Sequence, residues 1–506
     1  MKQVIHACAF ILIMGMMACG NPTKSDQVQE AKFIPDSRVE SVIRQLNDSL
    51  GEAHSFRVER GVRQTAQLWW KTDGSADDFE RFCITSFVSD PDKLDQLYAT
   101  LERNFEIING YFHKMNVELK EPLQLEGPEI TPVDMLFGSY SASAHLTDDL
   151  YANKLAFLTA LNFPFYSLEE KTELGETWSR KEWAHARMGD RFISRVPAAI
   201  QQDVSSTVTE ADAYISDYNV YMDMLRDDKG EQLFPDDKKL ISHWGLRDEL
   251  KSNYADSEKG LQKQRMIYQV MQRIIDQTIP LEVINSDRYA WNPISNQLYD
   301  GNTGVASRPE DTRRYEVFLK NYHAMRQLDP YSAHYPTQLD RAFDGTMEIP
   351  REDVKELFQA LVSSPAVKEV AAFIESRLNR ELEPFDIWYN GFRPGGGIPE
   401  DDLTAITTRK YPTAEALEAD LTNMLLKLGW NPAKANEITS LITVDASRGA
   451  GHAWGAAMRG DMARLRTRVG ENGLDYKGYN IAVHEFGHNV EQTITMNDVD
   501  YYMLNG

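Results

Sequence analysis

The sequence predicts a mainly α-helical fold, and three observations predict it. Apolar residues recur at three- and four-residue steps over most of the chain. Strand-type alternation is nearly absent from the first 400 residues. The 506 residues, 42% hydrophobic, 10% aromatic and 26% charged, can fill a large core and solvate its exterior. At roughly 150 residues per domain, the length allows about three domain-sized units or one large multi-helical body.

The charge narrows the partners. Lys plus Arg is 54 against 77 for Asp plus Glu, a formal net charge of −23, and no basic patch interrupts it. A surface of that sign repels phosphate backbones, so no nucleic-acid partner is expected.

The chain opens with an export signal. Lys2 precedes the apolar run Ala7 to Ala18, which is shorter than the ~20 residues a spanning helix needs and is followed by polar residues. Met16, Met17 and Ala18 lead into Cys19, and the stretch resembles a bacterial lipobox. Residues 1–19 are therefore expected to be a lipoprotein signal peptide with Cys19 as the lipidated residue. Residues 20–35 then form a tether, and the mature protein is exported and membrane-anchored, on the periplasmic or cell-surface side. Cys8, Cys19 and Cys83 are the three cysteines. With two of them in the export segment, a disulfide framework is excluded, and Cys83 reads as a buried small hydrophobe.

Helical patterning begins at residues 37–50. Leu94, Leu97, Leu101, Phe105, Ile108, Phe112 and Met115 then mark one face of a long amphipathic helix. Similar periodicity covers residues 177–225, 237–279 and 312–326. Trp69 and Trp70 read as packing residues. Residues 36–285 thus form an N-terminal helical region. Residues 286–350, rich in Asn, Asp, Pro and Tyr, read as irregular connections around one or two short helices. Residues 351–506 follow as one region, opening with a helix over 351–382. Gly395 to Gly397 suggest a mobile loop and not a P-loop, because no Lys followed by Ser or Thr comes after them. Helices are expected at 413–428 and 432–442. Over 462–469, Arg464, Arg466 and Arg468 alternate with Leu465, Thr467 and Val469, the pattern of an exposed edge strand able to pair with an extended peptide. The turn Gly470 to Gly473 ends it.

The chemistry lies in residues 479–497. His484, Glu485, Phe486, Gly487 and His488 spell HExxH. On a helix the two His stand ~40° apart around the axis, one turn from each other, so both imidazoles can reach one metal ion. Glu485 lies ~100° from His484, placed to take a proton from a metal-activated water. Val483, Phe486, Gly487, Val490 and Ile494 are expected to anchor the opposite side, with Asn480 as the N-cap.

HEFGH, together with Phe385 to Gly391 upstream and the stretch Asp445, Ser447, Arg448, Gly449 and Gly451, resembles the thimet-oligopeptidase group of zinc metallopeptidases (family M3) in the gluzincin clan. The resemblance is specific over about Phe385 to Gln492. It implies a mainly helical metallopeptidase with a channel for short peptides, to which the alternation over 462–469 adds a small β edge element ahead of the zinc helix. It implies Zn²⁺ held by His484 and His488 and a downstream Glu, with Glu485 as general base. Glu491 stands where the family often has His and is expected to orient a ligand, while His452 and Tyr479 are candidates for contact with substrate or ligands. Only 18 residues follow His488 and none is a Glu after Glu491. The third ligand is therefore expected beyond Gly506, in a catalytic region that this chain leaves incomplete, with Asp498 or Asp500 as the substitutes within it. The expected function is zinc-dependent hydrolysis of short peptides. The alternative is a non-catalytic helical lipoprotein that binds peptides or glycans.

Overall fold

The computed structural model describes residues 33–505 apart from 237, 393–397 and 399. The signal peptide, Cys19, most of the tether and the run Gly395 to Gly397 lie outside the described residues. Helices dominate the remainder, as the periodicity implies, and three apolar cores organise them.

The first core is built by the helices Asp36–Leu50, Ser55–Leu68, Ala76–Ser86, Leu155–Asn162 and the first half of the long helix Pro91–Gln124. Asp90 caps the long helix by accepting from the Lys93 amide at 3.0 Å, and Pro91 occupies the first turn, where its missing N–H costs nothing. Leu94, Leu101 and Phe105 are buried as the spacing predicts, but Met115 is exposed and the buried stripe continues through Gly110 and Val117. Gly61 is required by packing, because a Cβ there would lie 2.0 Å from the Leu161 carbonyl oxygen. Trp69 is buried, and Trp70 lies under the Arg195 guanidinium at 3.8 Å, so both pack. Cys83 is fully buried, and burial pushes its thiol pKa up.

The second core gathers Tyr218, Met222, Leu246, Leu250, Ile267, Trp291 and Leu298. Short strands that the periodicity does not reveal line it. β1 (Asn219–Tyr221) pairs antiparallel with β2 (Lys239–Ile241), and β3 (Ala290–Asn292), β4 (Gln297–Asp300) and β5 (Thr303–Val305) form an antiparallel meander. The region 286–350 thus holds this small sheet, which the sequence does not reveal, together with the helix Arg313–Arg326 and the short helical segments Gln338–Asp340 and Arg341–Met347, joined by irregular connections. The periodic run 177–225 is likewise divided into Arg180–Gly189, Ala198–Ser216 and β1. Pro197, which has no N–H to give to a preceding turn, starts the second of these helices.

The expected helix over 351–382 is two helices, Arg351–Ser363 and Pro365–Leu378, bent by 50° at Ser364 and Pro365. Neither has a buried residue, and Leu357, Phe358, Leu361, Val362 and Phe373 face outward. Among the described residues no single helix is long and apolar enough to cross a membrane, although this bent pair together has the length and composition.

The third core joins a three-stranded sheet to the motif helix Tyr476–Asp498. β6 (Ile442–Ala446) runs parallel to β8 (Ala463–Thr467), and β7 (His452–Trp454) runs antiparallel to β8, giving the order β6-β8-β7. The arginine-bearing strand is thus the central strand of the sheet and not an exposed edge. Both of its sides are hydrogen-bonded, so it cannot accept a peptide. Its arginines are engaged as well. Arg466 is fully buried, 3.4 Å from Asp445, bonded to Gln124 and over the Trp454 ring. Arg464 lies 3.6 Å from Asp445, and Arg468 donates to the Gly449 carbonyl oxygen at 3.0 Å. Side chains alternate across a strand. Leu465 and its partner Ala453 face the motif helix, while Arg464 and Arg466, with their partners Trp454 and His452, face the long helix. The Arg448 amide donates to the Gln124 carbonyl at 2.9 Å and the Glu126 amide to the Ala446 carbonyl at 3.0 Å, fastening the sheet to the end of the long helix.

Candidate metal centre

The motif helix begins five residues earlier than the sequence suggests. Asp475 is its N-cap, accepting from the Gly478 amide at 2.6 Å, and Asn480 lies inside the second turn. Thr467 donates to the Gly478 carbonyl at 2.8 Å, which pins this turn to the central strand. Gly478 is itself required, because a Cβ would meet the Arg468 carbonyl oxygen at 2.7 Å. In the same turn Lys477 is ion-paired with Glu249 on the helix Trp244–Ser252, and Lys238 joins that carboxylate at 2.7 Å. Burial alone would raise the Glu249 pKa, but Lys477 and Lys238 outweigh it and hold the group down at about 2.

The buried face of the helix runs through Ala482, Phe486, Asn489, Val490, Thr493 and Met496. Val483 and Gly487 do not belong to it. Both are exposed and flank the imidazoles, because they lie within ~100° of His484 around the axis whereas Phe486 lies ~200° away. Asn489 is fully buried and donates to Gln492 at 3.1 Å and to the Trp454 carbonyl at 3.4 Å, tying the helix to β7.

His484 and His488 project from the opposite side. Both are exposed, and their Nε2 atoms lie 3.2 Å apart, with the rings nearly perpendicular at 83°. Two nitrogens at the ~2.0–2.1 Å zinc bond length and a tetrahedral angle would stand roughly 3.3–3.4 Å apart. The pair therefore fits the bite of one tetrahedral ion. Without an ion, one Nε2–H can donate to the other Nε2. Glu485 is half-buried beside them.

The remaining residues singled out from sequence are not joined to this pair. Glu491 accepts from the Thr495 hydroxyl at 2.7 Å. Tyr479 stacks on Tyr411 at 5.5 Å with the rings 12° apart, as part of the third core. His452 is on the sheet face turned toward the long helix, away from the motif helix, and its Nδ1 donates to the Ala450 carbonyl at 3.1 Å. Asp498 and Asp500 do not supply a third donor. Asp498 is paired with Lys434 at 2.7 Å and Asp500 with Arg180, and Asp498 lies ten residues, ~15 Å along the axis, past His488. Among the described residues no group of three or more His, Cys, Asp or Glu is assembled that could hold a metal.

Gly487 is the residue whose meaning only the structure makes visible. A Cβ there would meet nothing within 4 Å, so neither packing nor backbone conformation calls for glycine in mid-helix. No family model matches the chain, and no curated protein or solved structure matches it.

Proposed function

We propose that this chain is a zinc-dependent peptidase acting on short peptides, exported and held at a membrane by lipid on Cys19. The observation that carries the reading is the solvent-facing pair of Nε2 atoms 3.2 Å apart, with Glu485 half-buried on the same helix. Exposed imidazoles brought together at a chelating separation do nothing for the core. A mid-helix glycine beside them, at a helix cost of about 1 kcal/mol, has no packing reason either. Local choices that the fold does not need mark functional sites.

In this reading His484 and His488 would hold a zinc ion, which when bound would polarise a carbonyl and acidify water. Glu485 accepts the water's proton and passes it to the leaving amine. The open surface over Val483 and Gly487 receives the peptide main chain. A His₂Glu catalytic site would need a third protein donor beside this pair. A peptide-cleavage assay on the full chain with added zinc, set against Glu485→Gln, tests the mechanism. Cleavage that survives this substitution defeats it.

A second reading has its own observation. The two imidazoles can satisfy each other through one hydrogen bond, and among the described residues no third donor joins them. A helical lipoprotein that binds peptides or glycans without hydrolysing them would have such a pair. Zinc content of the purified protein separates the two, because stoichiometric metal belongs to the peptidase alone.

A further inference from the structure

On the far side of the β6-β8-β7 sheet from the motif helix lies a half-enclosed cavity of about 480 Å³. Its walls come from the long helix, the helix Ala198–Ser216, the loop at Gly449 and Ala450, and β7. Leu465 and Ala453 point the other way, toward the motif helix, and the imidazole pair projects from the far side of that helix again. The cavity and the metal centre are therefore two separate places on the molecule.

Two charged residues of opposite sign border the cavity, Lys120 from one helix and Asp212 from the other. The side chain of neither makes a hydrogen bond or an ion pair with any described residue. Asp212 is exposed and Lys120 half-buried. Partial desolvation by the surrounding atoms holds the Asp212 carboxyl above its ordinary range, and Lys120 acts on it in the opposite direction, so the two stand within electrostatic reach of each other. An aromatic wall stands beside them, formed by Trp454, His452 and His243. Because His452 Nδ1 donates to a carbonyl, its Nε2 is an acceptor. That Nε2 and the Nδ1 of His243 are buried without partners, which leaves hydrogen-bonding capacity in the wall. The volume falls within the roughly 300–1,000 Å³ of small-molecule sites, which combine an apolar lining with a few polar groups that fix orientation.

We propose that this cavity binds a short zwitterionic peptide, with its ammonium at Asp212, its carboxylate at Lys120 and an apolar side chain against Trp454. Asp212 and Lys120 act on each other but make no hydrogen bond or close ion pair, so an anion and a cation facing one pocket both keep bonding capacity for a molecule that carries both charges. An aromatic wall is complementary to the body between them. A simple anion or cation would leave one of the two residues unmatched. The inference stands independently of the metal reading.

Titration of the full chain with L-alanyl-L-phenylalanine, followed by calorimetry, tests it, alongside the N-acetylated and the C-amidated forms of the same dipeptide. The free dipeptide is expected to bind saturably, and each blocked form about tenfold or more weaker. Lys120→Met should weaken the free peptide and leave the amidated form unchanged. Asp212→Asn should weaken the free peptide and leave the acetylated form unchanged. Ala213→Trp, which fills the cavity, should abolish binding in a protein that still unfolds cooperatively. The combined His484→Ala and His488→Ala variant should bind as the parent does. Equal affinity for the blocked forms, loss of binding in the imidazole variant, or no saturation by about 10 mM would each overturn the proposal.

Discussion

Lys477, in the first turn of the motif helix, is ion-paired with Glu249, a buried residue of the helix Trp244–Ser252, so the helix bearing both imidazoles is moored electrostatically to the second core. Lys238 shares the same carboxylate at 2.7 Å. Removing a single partner from such a cluster strands the other charges. Glu249→Gln is expected to destabilise the protein by about 3 kcal/mol or more, whereas the paired change Glu249→Gln with Lys477→Met should recover part of the loss. Urea denaturation of the three proteins measures it.

Zinc retention should depend on both imidazoles. Either His484→Ala or His488→Ala turns a two-nitrogen chelate into a single ligand, and each is expected to lower zinc affinity by about tenfold or more. Equilibrium dialysis with metal analysis reads the change. Equal retention by the single variants and the parent would place the metal elsewhere.

Stability should fall on mild acidification. Burial pushes the His185 pKa down to about 4, against the pull of Asp95 at 3.7 Å. The unfolded chain protonates this histidine near the ordinary value of about 6.5. Between those values the unfolded state binds the extra proton, so stability declines as pH drops from about 6.5 toward 4, on the order of 1–3 kcal/mol. Glu249 acts lower down. Its folded pKa of about 2 supplies stability that is present above the ordinary carboxylate value and lost as pH falls toward 2. Denaturation midpoints across this range should show both effects, and His185→Gln should flatten the upper one.

Gly487→Ala separates folding from function. Since a methyl group there would meet open space, the substitution should stabilise the helix by about 0.5–1 kcal/mol. It should also lower peptide turnover if the surface beside the imidazoles receives substrate. Thermal unfolding and the cleavage assay report the two effects independently.

The bent helix pair Arg351–Ser363 and Pro365–Leu378 should tolerate charge. Phe358 and Leu361 are both 59% exposed, so Phe358→Asp and Leu361→Asp are expected to change stability by less than about 0.5 kcal/mol. Leu161→Ala, in the first core, should cost about 2–5 kcal/mol.

Much of the helical body was legible because a single stripe of Leu, Val and Phe betrays a helix with one buried face. Leu94, Leu101 and Phe105 are the clearest case. HExxH was legible because a one-turn spacing of two imidazoles is a local property. The third core was less so. Arg464 and Arg466 read as an exposed edge, since three arginines on a short strand suggest solvent. Their actual neighbours, Asp445 on β6, Gln124 on the long helix and Trp454 on β7, are remote in sequence. β1 to β5 were hidden for another reason. Strands of three or four residues are too short to establish a period. The cavity between Lys120 and Asp212 could not be foreseen, because nothing local tells a lysine on one helix that it will face an aspartate on another.

Cys83 is the one cysteine among residues 33–505, and its sealed, protonated thiol makes the folded body inert to maleimides and other thiol reagents. A cysteine introduced at an outward position such as Phe358 would then be the sole point of attachment for a dye or spin probe on that body. Delayed labelling of Cys83 itself would act as a clock for the opening of the interior that encloses it.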